Sequence, residues 1–221
     1  MKLPLRMPPL FGETPGWQRH QIQNCPCKVQ MPFLPEPSSF TETFVSLNCP
    51  GEASRFRWSF QPGMLFQDAN CWWKPARRVH THEGVDFCAY HAGQDGEVRK
   101  VGSDLVPSLY CGEVARIDDD FLGKTIWMKH PAIQCDRLIL FSALGHIIPN
   151  GTAIEGRTVG KGEEMGRIAP ARKGALLAMH LHLSVFWAPP FLRSDRLNWQ
   201  DLPASRMIRL FDPLSILGRG A

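Results

Sequence analysis

The sequence predicts an all-β domain of antiparallel strands, and three observations carry that expectation. Proline and glycine number 19 each in 221 residues, roughly 17% together against about 12% in average usage, which favours short strands and turns over long helices. Short apolar or alternating runs recur between turn-like stretches, the pattern of half-buried strands. No segment sustains a helical period, and no repeat of about 20–50 residues stands out.

The elements follow in chain order. Residues 1–55 read as a Pro-rich, irregular N-terminal extension, and nine of the nineteen prolines fall in the first fifty positions. A domain is expected over residues 56–221. Arg55 to Phe60 alternates polar and aromatic side chains, as a half-buried strand does. Leu109 to Ile117 and Lys124 to His130 read as successive strands, joined by a turn at Asp118 to Gly123. The adjacent Asp118, Asp119 and Asp120 read as solvated carboxylates of that hairpin rather than a cation site. Arg137 to Ala143 is a third strand-like run. Gly145 to Gly166 is glycine-rich without a helix, and Val159 to Gly166 reads as a tight turn between short strands. Residues 188–206 form a polar loop, and Met207 to Leu217 closes the domain.

Composition bounds the function. Hydrophobic residues are 43% and charged residues 21% of the chain, which places it among globular proteins. The net charge of +4 is mild. The basic clusters Lys74–Arg78 and Arg167–Lys173 are short, and no stacking-aromatic motif accompanies them, so no nucleic-acid partner is expected. No run reaches about 18 apolar residues, so no membrane-spanning helix is expected. Residues Met1 to Pro9 lack the apolar stretch of a signal peptide. Seven cysteines include no Cys-x-x-Cys pair, which argues against a structural zinc knuckle. Cys25 and Cys27 are too close for an ordinary metal pair or relaxed disulfide.

The chemistry concentrates in two short stretches. Leu176 to Trp187, read with period two, places Leu177, Met179, Leu181, Leu183, Val185 and Trp187 on one apolar face. His180 and His182 then share the other face. Alone, His-x-His reads more readily as an exposed surface pair than as a site. The second stretch is His80 to Phe87. Its His-Glu fails the helical His-Glu-x-x-His pattern, because Asp86 stands where the second His belongs. As a strand it puts His82, Gly84 and Asp86 on one face, with Gly84 leaving room between the other two, and turns Glu83 away. Two imidazoles and a carboxylate, His82, Asp86 and His182, are a ligand set of catalytic zinc with a fourth position open for water. His130 reads as a strand-end residue, His80 lies outside the motif, and Cys88 reads as a buried thiol.

Taken together, His-x-Gly-x-Asp at His82 to Asp86 and His180-Leu181-His182 about a hundred residues later resemble the lysostaphin/LytM-type zinc metallopeptidases. Pro107 to Val114, Thr125 to Pro131, the glycine-rich Val159 to Gly166 and Asp212-Pro213-Leu214 resemble further segments of that family, so the likeness spans roughly residues 56–217. The resemblance implies a LytM-type (duplicated hybrid motif) β core with a groove. It implies Zn2+ held by His82, Asp86 and His182, with His180 activating a water or stabilising an oxyanion. It further implies hydrolysis of a peptide bond in bacterial peptidoglycan, with peptidoglycan peptides as partners, and a cell-envelope or periplasmic location; the missing signal peptide leaves a cytoplasmic one open.

One position departs from the family pattern. Ala143, in Phe141-Ser142-Ala143-Leu144, stands where the family carries another active-site histidine. His146 can take that role only if Gly145 bends the chain, because residues three apart on a regular strand face opposite sides. Otherwise the chain is a catalytically weak or inactive zinc-bearing module that binds the wall or activates a hydrolase. A third reading is an intracellular zinc hydrolase of another peptide. No pattern sets an oligomeric state.

Overall fold

The computed structural model describes residues 34–93, 96–171, 173–174 and 176–218. The Cys25–Cys27 pair and most of the proline-rich lead lie outside them. Among the described residues one α-helix, α1 (Phe40–Asn48), precedes twelve strands. These are β1 (Arg57–Ser59), β2 (Val85–Phe87), β3 (Ala89–Ala92), β4 (Glu97–Lys100), β5 (Leu105–Pro107), β6 (Gly112–Asp119), β7 (Lys124–Cys135), β8 (Leu138–Pro149), β9 (Thr158–Val159), β10 (Glu164–Ile168), β11 (Leu181–Ala188) and β12 (Arg209–Phe211). The domain is all-β and antiparallel, as expected. A large sheet runs β12-β11-β8-β7-β6-β9, and a small one runs β1-β3-β4. No described helix is long and apolar enough to cross a membrane.

The irregular extension expected to residue 55 is corrected over Phe40–Asn48, which is helical. Thr, Val and Phe give this nine-residue segment little intrinsic helicity, and isolated helices this short are marginal. Tertiary contacts hold it instead. Phe40, Phe44 and Val45 are buried, and Phe44 lies against Trp58 with ring centroids 4.8 Å apart. Trp58 in turn meets Phe56 at 4.9 Å and Phe87 at 4.6 Å. Asn48 ties the helix end to β5: its Nδ2 donates to Leu105 O (2.9 Å), and its Oδ1 accepts from Leu105 N (2.8 Å). Phe44→Ala is expected to cost about 3–5 kcal/mol, measured by denaturant unfolding. A loss below about 1 kcal/mol would show that the helix is not part of the core.

Three adjustments to the sequence reading bear on the site. The strand expected over Leu176–Trp187 begins only at Leu181, so His180 sits just ahead of it. All of β11 is buried on both faces, because its second face lies under Trp127, Phe141, Leu197 and Leu202. The expected strand around His82 is likewise shorter. Only Val85–Phe87 pairs, with Asp86 opposite His182, and His82 precedes the strand.

His130 is not a strand-end residue, since it lies inside β7 and is fully buried. Its Nδ1–H donates to Cys111 O (3.0 Å), and Nε2 accepts from Ser142 Oγ (2.9 Å). Burial pushes its pKa down to about 4, opposed weakly by the Cys111 carbonyl. Between that value and the unfolded value of about 6.5, the unfolded chain binds a proton that the folded one refuses. His130 therefore contributes roughly 3 kcal/mol of stability above pH 6.5, lost as pH falls through the window to about 4. His130→Gln should flatten the stability–pH curve by that amount over pH 7.5 to 4. An unchanged slope refutes the assignment.

Candidate metal centre

Strand pairing brings the candidate ligands together. β11 shares one edge between β2 and β12 and offers the other to β8. His182 thus stands opposite both Asp86 on β2 and Gly145 on β8. His82 reaches in from the preceding bend. The ligand-capable atoms of His82, Asp86 and His182 lie within 4.8 Å of one another, and all three residues are buried.

The facing atoms are defined by what holds the opposite ones. Nδ1 of His82 lies 3.0 Å from Leu65 O. A carbonyl only accepts, so Nδ1 carries the proton and Nε2 is bare. Nε2 of His182 lies 2.9 Å from Ser184 Oγ, which turns Nδ1 inward. Oδ2 of Asp86 accepts from Trp72 Nε1 (2.7 Å) and Arg78 Nη2 (3.5 Å), leaving Oδ1 to face the imidazoles. Asp86 Oδ1 is 2.7 Å from His182 Nδ1 and 3.3 Å from His82 Nε2, and those two nitrogens are 3.3 Å apart. Tetrahedral zinc with bonds of about 2.0–2.1 Å spaces its donors roughly 3.3 Å apart. Three lone-pair-bearing atoms, one of them anionic, converge with two of their separations at that spacing and the third shorter, each oriented by an outer partner, as metal ligands are. The donor set fits a zinc ion.

The electrostatics agree with that fit. Burial pushes the Asp86 carboxyl up, but the adjoining His182 and His82 outweigh it and hold the group well below the usual carboxylate range. Burial lowers the His182 pKa, with Asp86 opposing. Burial likewise lowers His180 to about 4, against the pull of Asp86. Buried imidazoles kept neutral suit ligation.

Beside the ligands lies a cavity of about 240 Å³. His180 and His146 line it with Asp86 and His182, and Trp73, Phe121, Leu177 and Trp199 supply apolar walls. His180 donates from Nδ1 to Ala178 O (2.8 Å), so its bare Nε2 points inward, 3.7 Å from Asp86 Oδ1. The His146 ring is centred 4.6 Å from that of His180 and 6.1 Å from that of His182. The bend that this requires is present. His146 has φ +64°, and β8 gains a residue against β7, with Lys124 opposite Ile147 but Ile126 opposite Leu144. Such a bulge reverses the side-chain parity. Ala143 is fully buried in the second core cluster, with Trp127 and Phe186.

Three sequence expectations are corrected here. Gly84 does not leave open room between His82 and Asp86. A Cβ there would meet Leu183 O, Ser184 Oγ (2.6 Å) and His182 Nε2 (2.7 Å), so its bare Cα admits β11. Glu83 is not turned away, because it precedes the strand and lines the cavity. Asp120, read as solvated, is buried beside His146. Sequence reading also passed over Trp72, Arg78, Ser184 and Trp199; the short Cys71-Trp72-Trp73 run near the motif was the only signal available for any of them. His80 is exposed and outside the site, and Cys88 is buried.

No family model matches the chain, and no curated protein matches it. Solved structures do. The catalytic domain of the antimicrobial peptidase lysostaphin from Staphylococcus simulans is 15% identical, with 74% of this chain and 93% of that one covered and a TM-score of 0.42. A catalytic-domain mutant of the prophage-encoded M23 protein EnpA from Enterococcus faecalis is 16% identical over 64% and 97%, with a TM-score of 0.37. Helicobacter pylori Csd3 is 20% identical over 59% of this chain, with a TM-score of 0.36. This chain spans 30% of the Csd3 chain and 37% of lysostaphin in its solution structure. The chain is thus similar to solved structures of M23 peptidases of the lysostaphin type.

Proposed function

We propose that this protein is a zinc-dependent endopeptidase that hydrolyses peptide bonds of bacterial peptidoglycan. The observation that carries the reading is the convergence of His82 Nε2, Asp86 Oδ1 and His182 Nδ1 beside a cavity lined by two further imidazoles. His82, Asp86 and His182 would hold a zinc ion there, which would supply a lowered pKa for a bound water and polarisation of a scissile carbonyl. The chain's own residues do the rest. His180 presents a bare Nε2, fixed by the Nδ1 bond to Ala178 O, to take a proton from the attacking water and return it to the leaving amine. His146 stands beside it as a second imidazole on the cavity wall, able to accept and return a proton. Trp73, Phe121 and Trp199 wall the cavity, which limits water around the reacting bond.

The test is release of new free amines from isolated sacculi, with a chelator added and then reversed by zinc. Release that the chelator stops and zinc restores is expected. Protein shown to hold zinc that releases nothing overturns the reading. It would favour the second one, a zinc-bearing module without turnover, which Ala143 recommends. His180→Ala should lower the release rate by about 100-fold or more while leaving zinc content unchanged. Equal rates would remove His180 from the chemistry.

A further inference from the structure

The bulge that delivers His146 has an anchor. The backbone N–H of His146 donates to Asp120 Oδ2 at 2.9 Å, and Asp120 Oδ1 lies 3.1 Å from His146 Nδ1. Both side chains are nearly buried, 2% exposed for Asp120 and 5% for His146. Asp120 is itself held rigidly: Leu122 N (2.8 Å) and Gly123 N (2.7 Å) donate to Oδ1, and Thr125 Oγ1 donates to Oδ2 (2.9 Å). Thr125 Oγ1 accepts from Trp199 Nε1 (3.1 Å), and Trp199 stands edge-on to His182, ring centroids 4.7 Å apart. One connected set of contacts therefore runs from the β6–β7 turn to a candidate ligand.

The other aspartates of the triplet have other partners. Asp118 pairs with Arg116 and accepts from Trp127 Nε1, and Asp119 pairs with Lys124. Only Asp120 of the three turns inward, toward a histidine in a left-handed conformation. A non-glycine residue keeps such a conformation only where its surroundings over-determine it. Nδ1 of His146 is buried and makes no aligned hydrogen bond among the described residues, and the Asp120 carboxylate, 3.1 Å away, is the group that can accept one from it. Burial would raise the Asp120 carboxyl, but His146 and the backbone amides of Gly123 and His146 hold it below the usual range. It is an anion at neutral pH.

We propose that Asp120 is a positioning residue for His146, its carboxylate fixing the bulged backbone and holding the imidazole as the Nδ1–H tautomer, with Nε2 left bare on the cavity side. The role in turnover rests on the peptidase reading above; the tautomer does not. A carboxylate behind an imidazole fixes both its orientation and the nitrogen that does the chemistry. Here it supplies, three residues downstream of Ala143, a histidine that a regular strand would have turned away.

Two measurements test this. Long-range 1H–15N spectra of 15N-histidine-labelled, zinc-saturated protein report each ring's tautomer, with His146 identified by the signal lost in His146→Ala. The Nδ1–H pattern is expected in the wild type, changed in Asp120→Ala; the Nε2–H pattern in the wild type overturns the proposal. The second is a kinetic cycle on sacculi. Asp120→Asn should lower kcat about 10- to 100-fold with KM within about twofold, and cause no further loss in a His146→Ala background. An equal loss in both backgrounds would mean that Asp120 only supports the turn, and overturns the proposal. If sacculi are not cleaved at all, the peptidase reading fails, and the tautomer still decides the role of Asp120.

Discussion

Asp86→Asn is expected to abolish zinc retention and, with it, peptide hydrolysis. The change keeps the shape of the side chain and removes its charge. It leaves two neutral imidazoles and an amide oxygen to face a divalent cation. Asp86 Oδ1 is also the point to which the other groups converge, at 2.7 Å from His182, 3.3 Å from His82 and 3.7 Å from His180. Losing an outer partner of a metal site already costs about 10- to 100-fold in affinity, so losing the anionic ligand should cost more than about 100-fold. The effect is readable without any substrate. Zinc at 100 times the wild-type Kd stabilises the wild type by about 2.7 kcal/mol, whereas a site 100-fold weaker gains only about 0.4 kcal/mol. Thermal unfolding with and without zinc should therefore separate the two proteins by several degrees. Equal zinc-dependent shifts would show that the ion binds elsewhere.

How much of this arrangement the sequence reveals depends on how local each feature is. The strand-rich architecture was legible because turns and alternating runs are local patterns. His82, Asp86 and His182 were legible as a chemical set, because few other roles call for two histidines and an aspartate at such spacing. Their geometry was only half legible. The period-two reading placed His82 on a strand, whereas only Val85–Phe87 pairs and the ring arrives from a bend. Helix α1 was not legible at all, because its stability lies in Phe40, Phe44 and Val45 buried against distant residues rather than in its own propensity. His146 shows the limit well. The sequence states the condition, a bulge at Gly145, but whether the bulge forms depends on Asp120, 26 residues earlier. No local pattern couples the two, and a carboxylate in a turn reads as solvated until the fold buries it.

Gly84→Ala tests the point at which the backbone, rather than a side chain, builds the centre. β2 approaches β11 so closely that a Cβ on Gly84 would meet the Leu183 carbonyl, together with Ser184 Oγ at 2.6 Å and His182 Nε2 at 2.7 Å. A side-chain tip can move aside, but the Leu183 carbonyl belongs to the β2–β11 ladder, in which Leu183 stands opposite Val85. Relief therefore requires the two strands to separate. Separation shifts His82 and Asp86 relative to His182, and it breaks the Ser184 contact that turns His182 Nδ1 inward. Overpacking of this kind costs about 1–3 kcal/mol, and more where backbone is the obstacle. The variant should lose about 3 kcal/mol in denaturant unfolding and bind zinc at least about 10-fold more weakly. Gly102→Ala is the matched control. Nothing lies within 4 Å of its added Cβ, so its stability should stay within about 0.5 kcal/mol of the wild type. If Gly84→Ala behaves like Gly102→Ala, the strands are not held at this separation and the ligand geometry does not depend on it. If it loses zinc and stability together, the spacing of two backbones sets the metal centre as firmly as its three ligands do.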